Sequence, residues 1–173
     1  GLMTFDYRGY GRSEGEVGEE GTYQDAFAAY AWLIGRGTKP EQIIVWGESL
    51  GGGVASKVAH EKPVGGLVLQ STFTSIPDIG ADLFPLLPVR TLATIQYDTN
   101  QRLPGIKCPV VVMHSQTDEI IPYPHGRKNY QTANEPKVVI ELAGGHNDAI
   151  YADQTKYIAG AEAVLEVIEA ATP

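Results

Sequence analysis

Two serines stand between glycines in the pattern Gly-x-Ser-x-Gly: Gly11-Arg12-Ser13-Glu14-Gly15 and Gly47-Glu48-Ser49-Leu50-Gly51. Glycines at those positions let a chain turn sharply from a strand into a helix, holding the serine at the strand's end with its hydroxyl free to act as a nucleophile. Only Ser49 has the surroundings for this. The apolar run Ile43-Ile44-Val45-Trp46 leads straight into Gly47, and a helical pattern continues from Leu50 to about His60. Ser13 follows Arg8-Gly9-Tyr10-Gly11 and precedes an alternation of Glu and Gly that cannot start a helix, so it is assigned to a turn.

A serine hydroxyl is a weak nucleophile at neutral pH. It needs an imidazole to take its proton and a carboxylate to orient that imidazole and stabilise its charged form. In the chain order serine, acid, histidine, Asp118 follows the run Val110-Val111-Val112-Met113 after a short loop, and His146 follows Val138–Leu142 through Gly144-Gly145. Both then stand just past the C-terminal ends of strands, the edge where open α/β sheets place their sites. The backbone N–H of Leu50, next after the serine, is the expected donor to an oxyanion. The other histidines read as structural: His60 lies near a helix end, His114 ends a strand, and His125 sits among prolines in Pro122-Tyr123-Pro124-His125. Asp148 is too near His146 in sequence to reach it from a strand end, and Asp6 precedes the serine.

The elements that must position these residues alternate. Leu2–Asp6 reads as a buried strand. A helix follows from Thr22, with Thr22 and Asp25 spaced like a capping box and Ala26, Phe27, Tyr30, Leu33 and Ile34 on one face, ending at Gly35-Arg36-Gly37. Strands are expected at Ile43–Trp46, Leu67–Leu69, Val110–Met113 and Val138–Leu142, with helices over Leu50–His60 and Asp153–Ala170. In the last helix Ile158, Ala161, Leu165 and Ile168 form an apolar stripe. Such alternation implies a three-layer α/β fold, a mainly parallel sheet with helices on both faces, as one domain over residues 1–173. Residues 72–105 break the rhythm, being too long for a plain connection and too apolar for a disordered linker. They read as a short lid, with Phe73, Phe84, Leu86 and Leu87 as candidate walls of an acyl pocket.

With 173 residues, 43% of them hydrophobic, the chain can bury a core. Its net charge of −8 would repel phosphate backbones and anionic membrane surfaces, which argues against nucleic acid as a partner. Glu14, Glu16, Glu19 and Glu20 alternate with glycine and read as a solvated loop, not a metal site. No apolar run is long enough to span a membrane, no signal peptide is recognisable, and the lone Cys108 cannot form an internal disulfide. A soluble, cytoplasmic protein that needs no cofactor is the expectation, and oligomeric state has no sequence signal.

Several ordered motifs resemble those of Bem46-like α/β-hydrolases, the group of the ABHD13- and ABHD17-like serine hydrolases. They are Asp6-Tyr7-Arg8-Gly9-Tyr10-Gly11-Arg12-Ser13, Gly47-Glu48-Ser49-Leu50-Gly51-Gly52, Thr72-Phe73-Thr74-Ser75, Asp118-Glu119-Ile120-Ile121-Pro122 and Gly144-Gly145-His146-Asn147-Asp148. The resemblance spans nearly the whole chain. It implies the α/β-hydrolase fold, a triad of Ser49, Asp118 and His146, and a structural turn over Asp6–Ser13. It also implies further strands before Leu2 and an oxyanion loop after the third of them, neither of which is in this sequence, so the chain reads as an N-terminally truncated member. In the family that third strand lies between the equivalents of Leu2–Asp6 and Ile43–Trp46. Either these two pair directly, or residues outside this sequence complete the sheet. The expected activity is hydrolysis of small acyl esters through an acyl-enzyme. The alternatives are a peptidase or thioesterase with the same triad, and a non-catalytic fragment or binding protein that keeps the architecture.

Overall fold

The computed structural model describes residues 1–171. Among them four strands, β1 (Ile44–Glu48), β2 (Gly66–Gln70), β3 (Val110–Ser115) and β4 (Lys137–Leu142), form one parallel sheet in the order β1-β2-β3-β4. The register aligns Val45 with Leu67, Leu67 with Val110, and Val110 with Lys137. The inner strands β2 and β3 are buried along their whole length, which is why their sequences are unbroken apolar runs and not alternations.

The side chains of those strands go alternately to two cores. Leu67, Leu69, Val110 and Val112 pack with Ala55 and Ala59 of α2 (Leu50–Glu61) and with Leu103 and Ile106. Val68, Val111 and Met113 pack on the other face with Val164 and Ile168 of α8 (Gln154–Ala171). Outside α2 lies α1 (Glu19–Gly35), whose Tyr23 and Ala26 meet Val54 and Val58. The result is the three-layer α/β arrangement expected from the alternation of elements.

Four expectations need correction. Leu2–Asp6 is not a strand. Leu2 is 93% exposed, and β1 has its ladder with β2 alone. A strand exists only where a neighbour takes its backbone groups, and the direct pairing with residues 43–46 is not formed. Met3 and Phe5 instead lie with Ala29, Leu33 and Trp46 along an open cleft between α1 and β1. Second, α1 begins three residues before Thr22, with Glu19 and Glu20 in its first turn, where acids suit the helix dipole. Thr22 is inside the helix. Its Oγ1 donates to the Glu19 carbonyl (2.7 Å) and meets the Tyr97 hydroxyl (3.0 Å). The Asp25 carboxylate is taken by Arg8, through its N–H (2.8 Å) and Nη2 (2.7 Å).

Third, Glu19 is not part of a solvated loop. Its carboxylate accepts from the Tyr23 hydroxyl (2.6 Å) and from the N–H groups of Gln96 (2.7 Å) and Tyr97 (2.8 Å). Fourth, the buried stripe of α8 is offset from the one expected. Gly160, Val164 and Ile168 are buried, while Ile158 and Leu165 are about half exposed.

The segment over residues 72–105 contains α3 (Ile76–Leu83), α4 (Val89–Leu92), α5 (Thr99–Arg102) and a 3-10 turn at Leu103–Gly105. Ser75 caps α3, its Oγ accepting the Asp78 N–H (3.1 Å). The two ends of this segment belong to the core, where Phe73, Tyr97 and Leu103 are buried. The middle, α3 and α4 with the Phe84-Pro85-Leu86-Leu87-Pro88 turn between them, is more exposed, although Pro77 and Ile79 of α3 are buried. Phe84, Leu86 and Leu87 are exposed, Leu86 to 96%. Of the four side chains expected to wall an acyl pocket, Phe73 lies in the core and the other three are exposed.

Candidate active site

Because all four strands run the same way, the loops that follow them meet at one edge of the sheet. β1 ends at Glu48, and Ser49 follows with φ 52° and ψ −120°, immediately before α2. A non-glycine residue in that region is strained and persists only where its surroundings enforce it. Here the Ser49 N–H donates to the Gln70 carbonyl (2.9 Å), and the Ser49 carbonyl accepts from the Gly52 N–H (3.1 Å) and from Thr72 Oγ1. Two of the flanking glycines are required by close approach. A Cβ on Gly47 would run into the Gly51 carbonyl, and one on Gly52 into the Thr72 side chain.

His146 reaches this serine from the loop after β4. Its Nε2 lies 3.0 Å from Ser49 Oγ, and its Nδ1 lies 2.8 Å from Asp118 Oδ2 and 3.0 Å from Oδ1. A carboxylate only accepts, so Nδ1 carries the proton and Nε2 presents its lone pair to the serine hydroxyl. Asp118 is itself held by the turn after β3, its Oδ1 accepting the N–H groups of Ile120 (3.0 Å) and Ile121 (2.7 Å). Both His146 and Asp118 are buried, which keeps water from competing for these bonds.

The loop carrying His146 is clamped to its neighbour. Ser115 Oγ and Thr117 Oγ1 (2.8 Å) both donate to the Gly144 carbonyl, and Glu119 Oε2 accepts the His146 N–H (3.0 Å). Asp148, set aside as a partner for the imidazole, accepts the Gly145 N–H and so shapes the same loop. Leu50 is the first residue of α2, and N–H groups in a helix's first turn have no partner within the helix. The structure thus brings Ser49, Leu50, Asp118 and His146 together. Glu119, Thr72 and Ser115 were not singled out as site residues, since their roles come from partners brought close only by folding.

The rival residues have other employment. Ser13 Oγ donates to the Asp6 carbonyl (2.9 Å) and closes the turn expected there. His60 Nδ1 meets the Arg102 carbonyl at 3.2 Å. His125 Nδ1 accepts the Thr74 N–H (3.2 Å), and burial pushes the His125 imidazole below its ordinary value. Burial raises the Cys108 thiol to about 11, which leaves little reactive thiolate. Among the described residues no group of three or more His, Cys, Asp or Glu could hold a metal ion, and no helix is long and apolar enough to cross a membrane.

The chain is similar to known proteins in sequence and in architecture. A family model described as alpha/beta hydrolase fold matches residues 2–88. An uncharacterized protein of Mycobacterium tuberculosis is 40% identical over 149 residues, covering 85% of this chain and 53% of that protein. The lysophosphatidylserine lipase ABHD12 of Danio rerio is 33% identical over 155 residues, covering 79% of this chain and 40% of its own length. The chain thus spans about half or less of the curated relatives it matches. Among solved structures, the esterase Pf2001 of Pyrococcus furiosus superposes with a TM-score of 0.71 at 20% identity, over 93% of this chain and 66% of that one.

Proposed function

The chain belongs to the alpha/beta hydrolase fold family, and from that premise we propose that it is a serine hydrolase that cleaves acyl esters through an acyl-enzyme. The observation that carries this reading is the continuous hydrogen-bonded chain Ser49 Oγ, His146 Nε2, His146 Nδ1 and Asp118 Oδ2, at 3.0 and 2.8 Å.

In the proposed reaction Ser49 Oγ attacks the ester carbonyl carbon while His146 Nε2 takes the hydroxyl proton, and Asp118 stabilises the imidazolium that forms. The tetrahedral oxyanion accepts a hydrogen bond from the Leu50 N–H. Collapse breaks the bond to the alcohol oxygen, which takes the proton from His146 Nε2 and leaves an acyl-Ser49. Water then attacks that acyl group, giving its proton to His146, and the carboxylic acid departs as Ser49 regains its hydrogen. The oxyanion donor that the family resemblance places before Leu2 lies outside this sequence, and one such donor is worth about 10²–10³ in rate. Esters are favoured over amides because the ABHD12 relatives carry the name lipase, while the fold neighbours include both esterases and peptidases. An ester carbonyl is also less resonance-stabilised than an amide carbonyl and is attacked more readily by the same nucleophile.

The test is hydrolysis of p-nitrophenyl butyrate by this chain and by S49A, with fluorophosphonate labelling read by intact mass. Turnover and a single label, both lost in S49A, are the expected result. Equal background rates and no label in folded protein would overturn the reading and leave a non-catalytic hydrolase fold.

A further inference from the structure

The acid of the proposed triad has a second histidine against it. His114, the fifth residue of β3, is fully buried on the face shared with Val110 and Val112. Its Nε2 lies 2.8 Å from the Ile121 carbonyl and 3.5 Å from Asp118 Oδ2. A carbonyl only accepts, so Nε2 carries the proton and His114 is the Nε2–H tautomer. Its Nδ1 has no hydrogen-bond partner and faces Gly126, where an added Cβ would overlap that nitrogen. The ring is closed in by Tyr123, edge-on at 6.0 Å.

This placement joins two jobs. The bond to the Ile121 carbonyl closes the 118–121 turn, and that turn presents the Ile120 and Ile121 N–H groups to Asp118 Oδ1. The same nitrogen stands 3.5 Å from Oδ2, the oxygen that receives His146 Nδ1, a close approach but not a hydrogen bond. Burial holds His114 below the ordinary imidazole range, outweighing the pull of Asp118 and the Ile121 carbonyl. The groups that face it, Asp118 and His146 on the loops and His125 on α6 (Tyr123–Thr132), leave it neutral. A neutral His114 holds the turn without competing with His146 for the carboxylate's negative charge, which an imidazolium so close would do.

We infer that His114 is the positioning residue of the triad acid: as a neutral Nε2–H donor it locks the turn that orients Asp118 toward His146. The inference rests on the reading of Asp118 as triad acid, and the two fail separately. Wild type without turnover or label refutes the proposed function, whereas an active wild type with an indifferent His114 refutes only this assignment.

The experiment compares H114M, which removes the donor, with H114Q, which restores an N–H at a similar reach. For H114M, kcat should fall about 10- to 100-fold with KM within about twofold, the size expected when a supporting partner lets a reacting group drift. The acid limb of its kcat/KM profile should move to lower pH, because a carboxylate that drifts from His146 stabilises the imidazolium less. H114Q should recover kcat to within about threefold of wild type and restore the limb. A folded H114M with wild-type kcat and profile would overturn the assignment, as would equal losses in both variants. Nitrogen-15 histidine spectra of the wild-type protein decide the matter even if H114M does not fold. His114 should remain a neutral Nε2–H tautomer across the active pH range, and an Nδ1–H or doubly protonated ring would refute the proposal.

Discussion

Replacing Asp118 by Asn tests the reaction most directly, because the structure dictates how the new amide must orient. Asp118 Oδ1 accepts two backbone N–H groups, from Ile120 and Ile121. An NH₂ placed there would meet two donors, so the asparagine oxygen takes that position and its NH₂ takes the position of Oδ2. That atom lies 2.8 Å from His146 Nδ1. A donor now facing Nδ1 drives the imidazole to its other tautomer, with the proton on Nε2 pointing at Ser49 and no lone pair left to receive the hydroxyl proton. This exchange in a serine-protease triad costs about 10⁴ in kcat, or about 5.4 kcal/mol of barrier. KM should change little, since no substrate contact is removed. The Asn variant keeps the two turn hydrogen bonds, so its melting temperature should stay near that of wild type. An Ala variant would lose those bonds and confuse rate with folding. The assay is kcat and KM for p-nitrophenyl butyrate beside a thermal melt. A folded D118N within tenfold of wild-type kcat would refute the tautomer argument and with it the assignment of Asp118.

Two further outcomes follow from the packing. Burial raises the Glu19 carboxyl, but hydrogen bonds from Tyr23 and from the N–H groups of Gln96 and Tyr97, with Arg102 nearby, outweigh it and hold the group below the usual range. A folded-state value below the unfolded one means the stabilisation is full above the unfolded value and is lost as pH falls through the folded one. The stability gap between wild type and E19Q, expected to be about 1–3 kcal/mol near neutral pH, should therefore narrow as pH falls through and below the ordinary carboxylate range; a gap independent of pH in urea titrations would refute this. Phe84 and Leu87 are both more than half exposed, so F84A/L87A should keep the wild-type preference across p-nitrophenyl esters of increasing length. A shift in preference would mean that these side chains do contact the acyl chain.

Much of the site was legible before folding because it is written locally. A strand buried on both faces must be continuously apolar, which exposes Val110–Met113. A turn crowded by its own helix must use glycine, which marks Ser49 and Ser13 alike, and the apolar run before Gly47 with the helical pattern after Ser49 separates the two. The loops after β3 and β4 then place Asp118 and His146 at the same edge, since parallel strands end together. What only the tertiary structure decided depends on partners far away in sequence. Glu19 reads as solvated until Gln96, 77 residues on, brings its N–H to the carboxylate. Glu119 acts on His146 across 27 residues, and Thr72 on Ser49 across 23. Leu2–Asp6 has the composition of a strand but no ladder, because pairing belongs to two segments and not to one. The stripe of α8 was misread for a related reason. An apolar pattern narrows which helix faces can be buried, but the shape of the sheet beneath chose Gly160, Val164 and Ile168 over Ile158 and Leu165.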